Sequence, residues 1–422
     1  MERRRLSTAL RIVGIVGAVA LALLLAVRLQ ARSADAKLES EFVRVVGPLD
    51  PEAYASVAVL DAENAAIWLR GAGAAVNLSR ADKDLIGDLG RLPAEQWTAE
   101  QDAAIERVFA RNAPALLLAG RAASLARSSY GLSGREATDS KYPMSLLEMM
   151  WLARTIDLQG RFAVTKGDWA AFRLAASELA CLASSLESES PLIGQLVGVA
   201  TEAMAFDVVR AGVESPAAGR EALQGLDAAI PSLDLVRAWR RAIGALATGV
   251  RTGVVHPDDM FDRDATNVEI TVPSGDDYLR IALEVEGLAA SPIGLDAALA
   301  DRLQKSKGMR SGRSVADHLA GALVRYQSRL SLRRLARIAI ALRLAAIEEG
   351  RYPDSLARWP EAAAPDPFTG GTMAYERRPD GSAVLAVPGA EELFDRVNEI
   401  RSPVPYDLVL PARGPAAAGT HH

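Results

Sequence analysis

The densest set of side chains able to do chemistry in this 422-residue chain is His256, Asp258, Asp259, Asp262 and Asp264. Carboxylates and an imidazole so placed can ligate a divalent cation or share a proton. Asp262-x-Asp264-x-Thr266 begins as a calcium loop begins. It then departs, with Asn267 at the sixth position, where glycine makes the turn, and Pro273 at the twelfth, where a bidentate glutamate closes the shell. A solvated acidic loop is therefore the default reading. A metal site through Asp262, Asp264 and His256 is the alternative. Elsewhere the chemistry thins out. Asp317 and His318 are neighbours on a helix and point apart. Cys181, the single cysteine, lies in the apolar helical stretch Glu178–Ala183 and reads as a buried thiol. Gly71-Ala-Gly73 lacks the third glycine and the preceding strand of a dinucleotide loop. The chain has no phosphate-binding loop, no His-Glu-x-x-His and no Gly-x-Ser-x-Gly. No catalytic residue is assigned, and no cofactor is expected.

The elements that would position such residues start at a membrane. Ile12 to Val27 is sixteen residues without charge, proline or amide, with Ile12, Val13, Val16, Leu21, Leu24 and Val27 as its apolar body. Sixteen residues rise about 24 Å against a hydrocarbon core of ~30 Å. Arg11 and Arg28 can snorkel to the headgroups, which extends the span to residues 8–29. Arg3, Arg4, Arg5 and Arg11 precede it, so the positive-inside rule makes the N-terminus cytoplasmic and the remainder exported. Ala34-Asp35-Ala36 offers a signal-peptidase site as the competing reading, but Arg28 and Arg32 stand between it and the apolar run. The expected location is the inner (cytoplasmic) membrane, single-pass, with the lipid bilayer as the first partner.

Composition narrows the class. Half the residues are hydrophobic, 5% are aromatic, and alanine is abundant, which favours closely packed helices. The net charge is −5. Six arginines and one glutamate give the first 32 residues +5, which leaves −10 on the rest. An acidic exported body excludes a nucleic-acid partner, which needs a basic face.

The expected fold is mainly α: an N-terminal transmembrane helix, an irregular array of antiparallel helical hairpins, and a small C-terminal β-hairpin. An amphipathic helix over 30–50 stops at Gly47-Pro48. Asp61–Leu69 starts another, and Thr98-Ala-Glu-Gln101 is a capping box for a helix over 99–110. Pro114 opens the next, and 128–142 reads as a polar loop. Met144–Lys166 and Asp168–Glu187 form a hairpin, with Gly167 suited to the left-handed turn and Asp168 to the N-cap. Trp169, Phe172, Ala176, Leu179, Ala183 and Leu186 are its core stripe. Ser190-Pro191, Ser215-Pro216 and Ser291-Pro292 each read as cap plus first helical residue, for helices over 191–213, 216–228 and 292–306. A further helix runs over 232–248, with Trp239 buried and Arg237, Arg240 and Arg241 outside; the alternative is a patch for a membrane surface. Val268–Val272 alternates like a strand, and Ser274 caps a helix over 275–287. The basic loop 305–313 divides a helical domain, 30–304, from a unit at 314–410. That unit comprises a long amphipathic helix to Glu349, with Arg333, Arg334, Arg337 and Arg343 on its outer side, and strands over 373–377 and 383–387 around Pro379-Asp-Gly381. Residues 1–7 form the cytoplasmic tail and 411–422 a disordered one.

Two stretches carry resemblances. Asp61-Ala-Glu-Asn-Ala-Ala, Leu152-Ala-Arg, Lys166-Gly-Asp-Trp169 and Pro191-Leu-Ile-Gly-Gln-Leu-Val197 resemble uncharacterised bacterial proteins with one N-terminal span and a helical ectodomain. The Lys-Gly-Asp-Trp turn is also similar to the inter-helix turn of tetratricopeptide repeats, without a second copy at that period. Ala345–Leu356, Asp366-Pro-Phe-Thr-Gly-Gly371 and Met373-Ala-Tyr375 resemble the helix-to-sheet passage of type II secretion pseudopilins. That likeness covers about 45 residues. It implies a helix ending at Gly-x-Tyr-Pro and an Asp-Pro-aromatic turn into a small sheet. Filament assembly is not implied, because here the preceding helix carries arginines and lies three hundred residues from the membrane span.

These features point first to a non-enzymatic scaffold or interaction module at the cell envelope, with envelope proteins as partners. A hydrolase using carboxylates of 256–277, and an accessory component of a secretion or pilus-like system, are the alternatives.

Overall fold

The computed structural model describes residues 33–412, except 34, 91, 140–144, 190, 231–233, 256–278, 281–282, 284–314 and 399–404. The N-terminal apolar run, the acidic loop with His256, Asp262 and Asp264, the strand expected at 268–272 and the basic loop 305–313 all lie outside the described residues. The molecule is mainly helical, with one small antiparallel sheet.

In chain order the helices are α1 (residues 35–45), α2 (Ala65–Ala74), α3 (Arg80–Leu89), α4 (Ala99–Ala123), α5 (Gly134–Thr138), α6 (Leu146–Lys166), α7 (Trp169–Glu187), α8 (Leu192–Glu214), α9 (Arg220–Leu223), α10 (Leu235–Arg251), α11 (Val315–Glu349), α12 (Pro360–Ala363) and α13 (Ala390–Asn398). The strands are β1 (Ala374–Arg377), β2 (Ala383–Ala386) and β3 (Asp407–Leu410).

Local chemistry sets the main boundaries. The α6–α7 hairpin turns where Gly167 takes φ +68°, and Asp168 caps α7 by accepting from the Ala171 amide at 3.0 Å. Phe172, Ala176, Leu179, Ala183 and Leu186 are buried as the stripe requires. The Thr98–Gln101 capping box is closed by bonds of 3.2 and 2.8 Å. Gly350, at φ +78°, ends α11. Tyr352 and Pro353 come next and turn inward, and the Tyr375 hydroxyl donates to the Pro353 carbonyl at 2.7 Å.

α8 is the central helix. It packs on α6, α7, α10 and α11. Among the described residues it alone is long and apolar enough to cross a membrane, with a mean hydropathy of 1.5, yet most of that stretch is buried in the protein. Glycine brings the helices close: a Cβ at Gly160 would meet Val208 of α8 at 2.7 Å. One apolar core runs from Tyr54 through α6, α7, α8 and α11 to Leu410, so residues on both sides of 305–313 share it. A second cluster joins Phe42 of α1 to Trp239 of α10 and Tyr326 of α11, with the last two rings 4.9 Å apart.

The sheet has order β1-β2-β3, with Ala374 opposite Ala386 and Ala383 opposite Leu410. The expected hairpin is there, with Gly381 at φ +85° in its turn, and a third strand extends it. Asp366 builds the turn before it: its Oδ1 accepts from the amides of Phe368 (2.9 Å) and Thr369 (2.8 Å) and from the Ser331 hydroxyl of α11 (2.9 Å).

Several expectations are corrected. Pro114 does not start a helix but lies inside α4, because the buried stripe Ile105, Val108, Asn112, Ala115, Ala119 and Ala122 runs straight through it. Within 128–142 a short helix, α5, forms on a Ser133–Glu136 capping box. Ser215 ends α8 rather than capping a helix over 216–228. Gly225, at φ +84°, splits that stretch into α9 and a 3-10 turn over Leu226–Ala229. Arg333 and Arg343 are not on an outer face: they are 5% and 3% exposed. Trp239, by contrast, is buried as expected, at 1% exposure.

Candidate functional site

Between α7 and α11 lies a groove of about 1220 Å³. One wall is α7, which presents Ser177, Cys181, Ser184 and Ser188 at intervals of four, three and four residues. That spacing puts them on a single face. The opposite wall is α11, with Arg337, Ile338, Ala341 and Leu344. Leu125–Ser128 closes one side, Gln224–Ile230 another, and Trp359 with Glu361 a third.

The groove exists because α7 carries small side chains where a core helix would carry leucine. Its hydroxyls are partly used inside the helix: Ser177 donates to the Arg173 carbonyl (3.0 Å) and Ser188 to the Ser185 carbonyl (2.9 Å). Their oxygen lone pairs remain as acceptors along that wall. The Ser128 Oγ is enclosed without a hydrogen-bond partner. The rim is mixed in sign, with Arg127 and Arg337 against Asp227 and Glu361; Arg127 pairs with Glu63 at 3.5 Å.

The walls are held apart and in register by a buried ionic cluster. Glu187, the last residue of α7, Glu202 of α8 and Arg333 of α11 are 0%, 4% and 5% exposed. Arg333 Nη2 donates to Glu187 Oε2 at 3.2 Å and to Glu202 Oε2 at 3.0 Å, and its Nε donates to Glu202 Oε1. Burial, and then the Glu202 charge, push the Glu187 carboxyl well above the usual carboxylate range. Burial works against the Arg333 charge, but the Glu202 and Glu187 carboxylates prevail and raise its pKa. Next to this cluster, the Tyr326 hydroxyl donates to Gln195 Oε1 at 2.6 Å, and Gln195 Nε2 donates to the carbonyls of Glu189 (2.7 Å) and Ala238 (2.9 Å). The Glu189 carboxylate in turn accepts from the Ser56 hydroxyl (2.6 Å) and the Tyr130 amide (2.8 Å), which fixes the loops outside the helical layer.

Cys181 is half-buried, not fully buried as expected, and lines the groove. Burial pushes its thiol up to about 11, so it stays protonated and is a poor nucleophile. The carboxyl of Glu178, one residue after Ser177, is pushed up to about 8 by burial and faces Gly120 of α4 instead. Among the described residues no group of three potential metal ligands converges. His256, Asp262 and Asp264 are outside the described residues, as is the side chain of His318.

Sequence reasoning did not find this site. Its signal is faint: a serine, cysteine, serine, serine stripe on the helix whose opposite face is the core stripe. No family model, curated protein or solved structure matches the chain.

Proposed function

We propose that the protein is a membrane-tethered helical interaction module of the cell envelope, and that its groove receives a helical segment of a partner protein. The observation that carries this reading is the size and make-up of the groove. Small-molecule pockets span about 300–1,000 Å³. Three helical turns, ~15 Å long and ~10 Å wide, occupy on the order of 1,200 Å³, which matches the groove volume of about 1220 Å³. The small side chains of α7 let a helix backbone approach closely. Ile338, Ala341, Leu344 and Trp359 offer an apolar surface across from them. The fitting partner is therefore an amphipathic helix, apolar towards α11 and small or polar towards α7. The sixteen-residue apolar run near the N-terminus supports the tether, and the acidic balance of the remainder supports a protein rather than a nucleic acid as partner.

The test is affinity capture with detergent-solubilised full-length protein beside two variants that fill the groove, Ser184→Trp and Ala341→Trp. The expected result is a partner retained by the unaltered chain and lost by both variants while their melting temperatures hold. A partner held equally by all three, or no partner in repeated captures, overturns the reading.

A further inference from the structure

The outer face of α7 continues past the groove. Ala170, Leu174, Ser177, Cys181, Ser184 and Ser188 follow one another at intervals of four, three, four, three and four residues, and none of them is buried. That is a heptad spacing, the seam along which two helices pack at ~20° to one another. On α11 the half-buried Arg337, Ala341 and Leu344 keep the same spacing. A helix laid along α7 meets every position of the seam. A helix that crosses it steeply meets one turn.

Where the seam leaves the groove it reaches two exposed leucines. Leu174 is 44% exposed, and Leu117 of α4 is 75% exposed. They adjoin. A Cβ at Gly120 would lie 3.9 Å from the Leu174 side chain, and Leu117 is one turn before Gly120 on the same face of α4. One turn after Gly120 comes Ala123, and one turn after Leu174 comes Ser177; both line the groove. An exposed leucine alone needs no explanation. This pair forms an apolar shelf that runs into a groove. Charge then selects the occupant. On the groove rim Arg127 is matched by Glu63 at 3.5 Å, which leaves Arg337 against Asp227 and Glu361, a surplus of one negative charge. The chain after residue 32 carries −10 as a whole. A helix with lysine or arginine beside its apolar seam complements both.

We propose, on the reading that the groove receives a partner helix, that Leu117 and Leu174 are the anchor end of the docking surface. Large apolar side chains of a basic helix from a partner protein cover them, and that helix runs along α7 from the shelf into the groove. From Leu174 to Ser188 is about 21 Å on a rise of ~1.5 Å per residue, so the partner segment spans about four turns.

The test is photocrosslinking from p-benzoylphenylalanine placed in turn at Leu117, Leu174, Ser184 and Ser188 of the full-length protein in its own membranes, with the attachment points mapped by mass spectrometry. The expected result is attachment from all four positions to one helical segment of one protein, with lysine or arginine beside its seam. The points reached from Leu174 and Ser188 should lie about fourteen residues apart. The double variant Leu117→Ser, Leu174→Ser should then bind that protein about tenfold more weakly or worse. Its melting temperature should hold, because both side chains are exposed in the unbound chain. Attachment from Ser184 and Ser188 without Leu117 and Leu174 overturns the shelf and leaves the groove reading standing. No attachment from any position overturns both. Points from Leu174 and Ser188 within one turn of each other overturn the lengthwise course, and an acid-flanked segment overturns the charge match. Attachment to peptides of this same chain assigns the surface to a second copy and overturns the partner.

Discussion

Replacing Arg333 with methionine removes the one cation that, among the described residues, pairs with Glu187 and Glu202, and it keeps most of the side-chain volume. Both carboxyls are then buried, at 0% and 4% exposure, without their ion-pair partner. Breaking a buried pair by deleting one partner costs about 3–5 kcal/mol, because the surviving charge is left without compensation. Unfolding entropy is ~2.1 cal/mol/K per residue. Over the roughly 300 described residues that makes about 0.6 kcal/mol per degree. Arg333→Met is therefore expected to lower the melting temperature by about 5–8 °C, read by circular dichroism at pH 7. The triple variant Arg333→Met, Glu187→Met, Glu202→Met removes every charge of the cluster together. It should recover most of that loss, since an apolar replacement of a whole buried ionic group is commonly neutral or stabilising by about 1–4 kcal/mol. A single variant that melts within about 1 °C of the unaltered protein would refute the argument. So would a triple variant that melts lower than the single one.

Glu178 gives a pH dependence with a definite sign. Its carboxyl titrates near 4.5 when unfolded and at about 8 when folded, so between those values the unfolded chain releases a proton that the folded chain keeps. Stability from this group is therefore present at low pH and is lost as pH rises through that window, by up to about 1.4 kcal/mol per pH unit. Asp157 and Asp207, pushed up to about 6 and about 8, tilt the profile the same way. Glu178→Gln should flatten the decline between about pH 5 and pH 8, and an unchanged slope would count against burial as its origin. Two glycines make a contrasting pair. A Cβ at Gly249 would lie 2.1 Å from the Thr138 carbonyl oxygen, so Gly249→Ala should cost about 2 kcal/mol as α10 is pushed off α5. Gly87 in α3 has nothing within 4 Å, so Gly87→Ala should raise the melting temperature through a helix-propensity gain of about 1 kcal/mol or less. Urea denaturation of the two variants reads both.

Features written into neighbouring residues are legible in the sequence. Gly167 and Asp168 specify their turn within four residues, Thr98 and Gln101 specify theirs, and the stripe on α7 declares its own buried face. Pro114 misleads because local propensity is opposed by packing: the stripe from Ile105 to Ala122 carries α4 through despite one missing amide. The arginines of α11 mislead for a different reason. Arg333 has the composition of a surface residue, and its partners Glu202 and Glu187 are 131 and 146 positions away. Nothing within a window of α11 could reveal them. The groove is hidden for the same cause. It is the space left between two helices more than a hundred residues apart, and serines on a helix read as solvated until the second wall is placed.

Arg343 wires the last strand to the middle of the chain. Its Nη2 donates to the carbonyls of Ser215 (3.0 Å) and Ala218 (3.1 Å) in the turn that follows α8, and its Nη1 reaches the Pro411 carbonyl (3.3 Å), to which the Tyr352 hydroxyl also donates. Backbone carbonyls of the turn after α8 thus stand in for a counter-ion. Without Pro411 the Arg343 bonds to Ser215 and Ala218 and the Arg333–Glu202 pair still join α11 to α8; what is lost is the acceptor that Arg343 and Tyr352 share. The stretch after β3 is therefore fastened onto a seam that α8 and α11 already close, through one carbonyl that accepts from two buried donors.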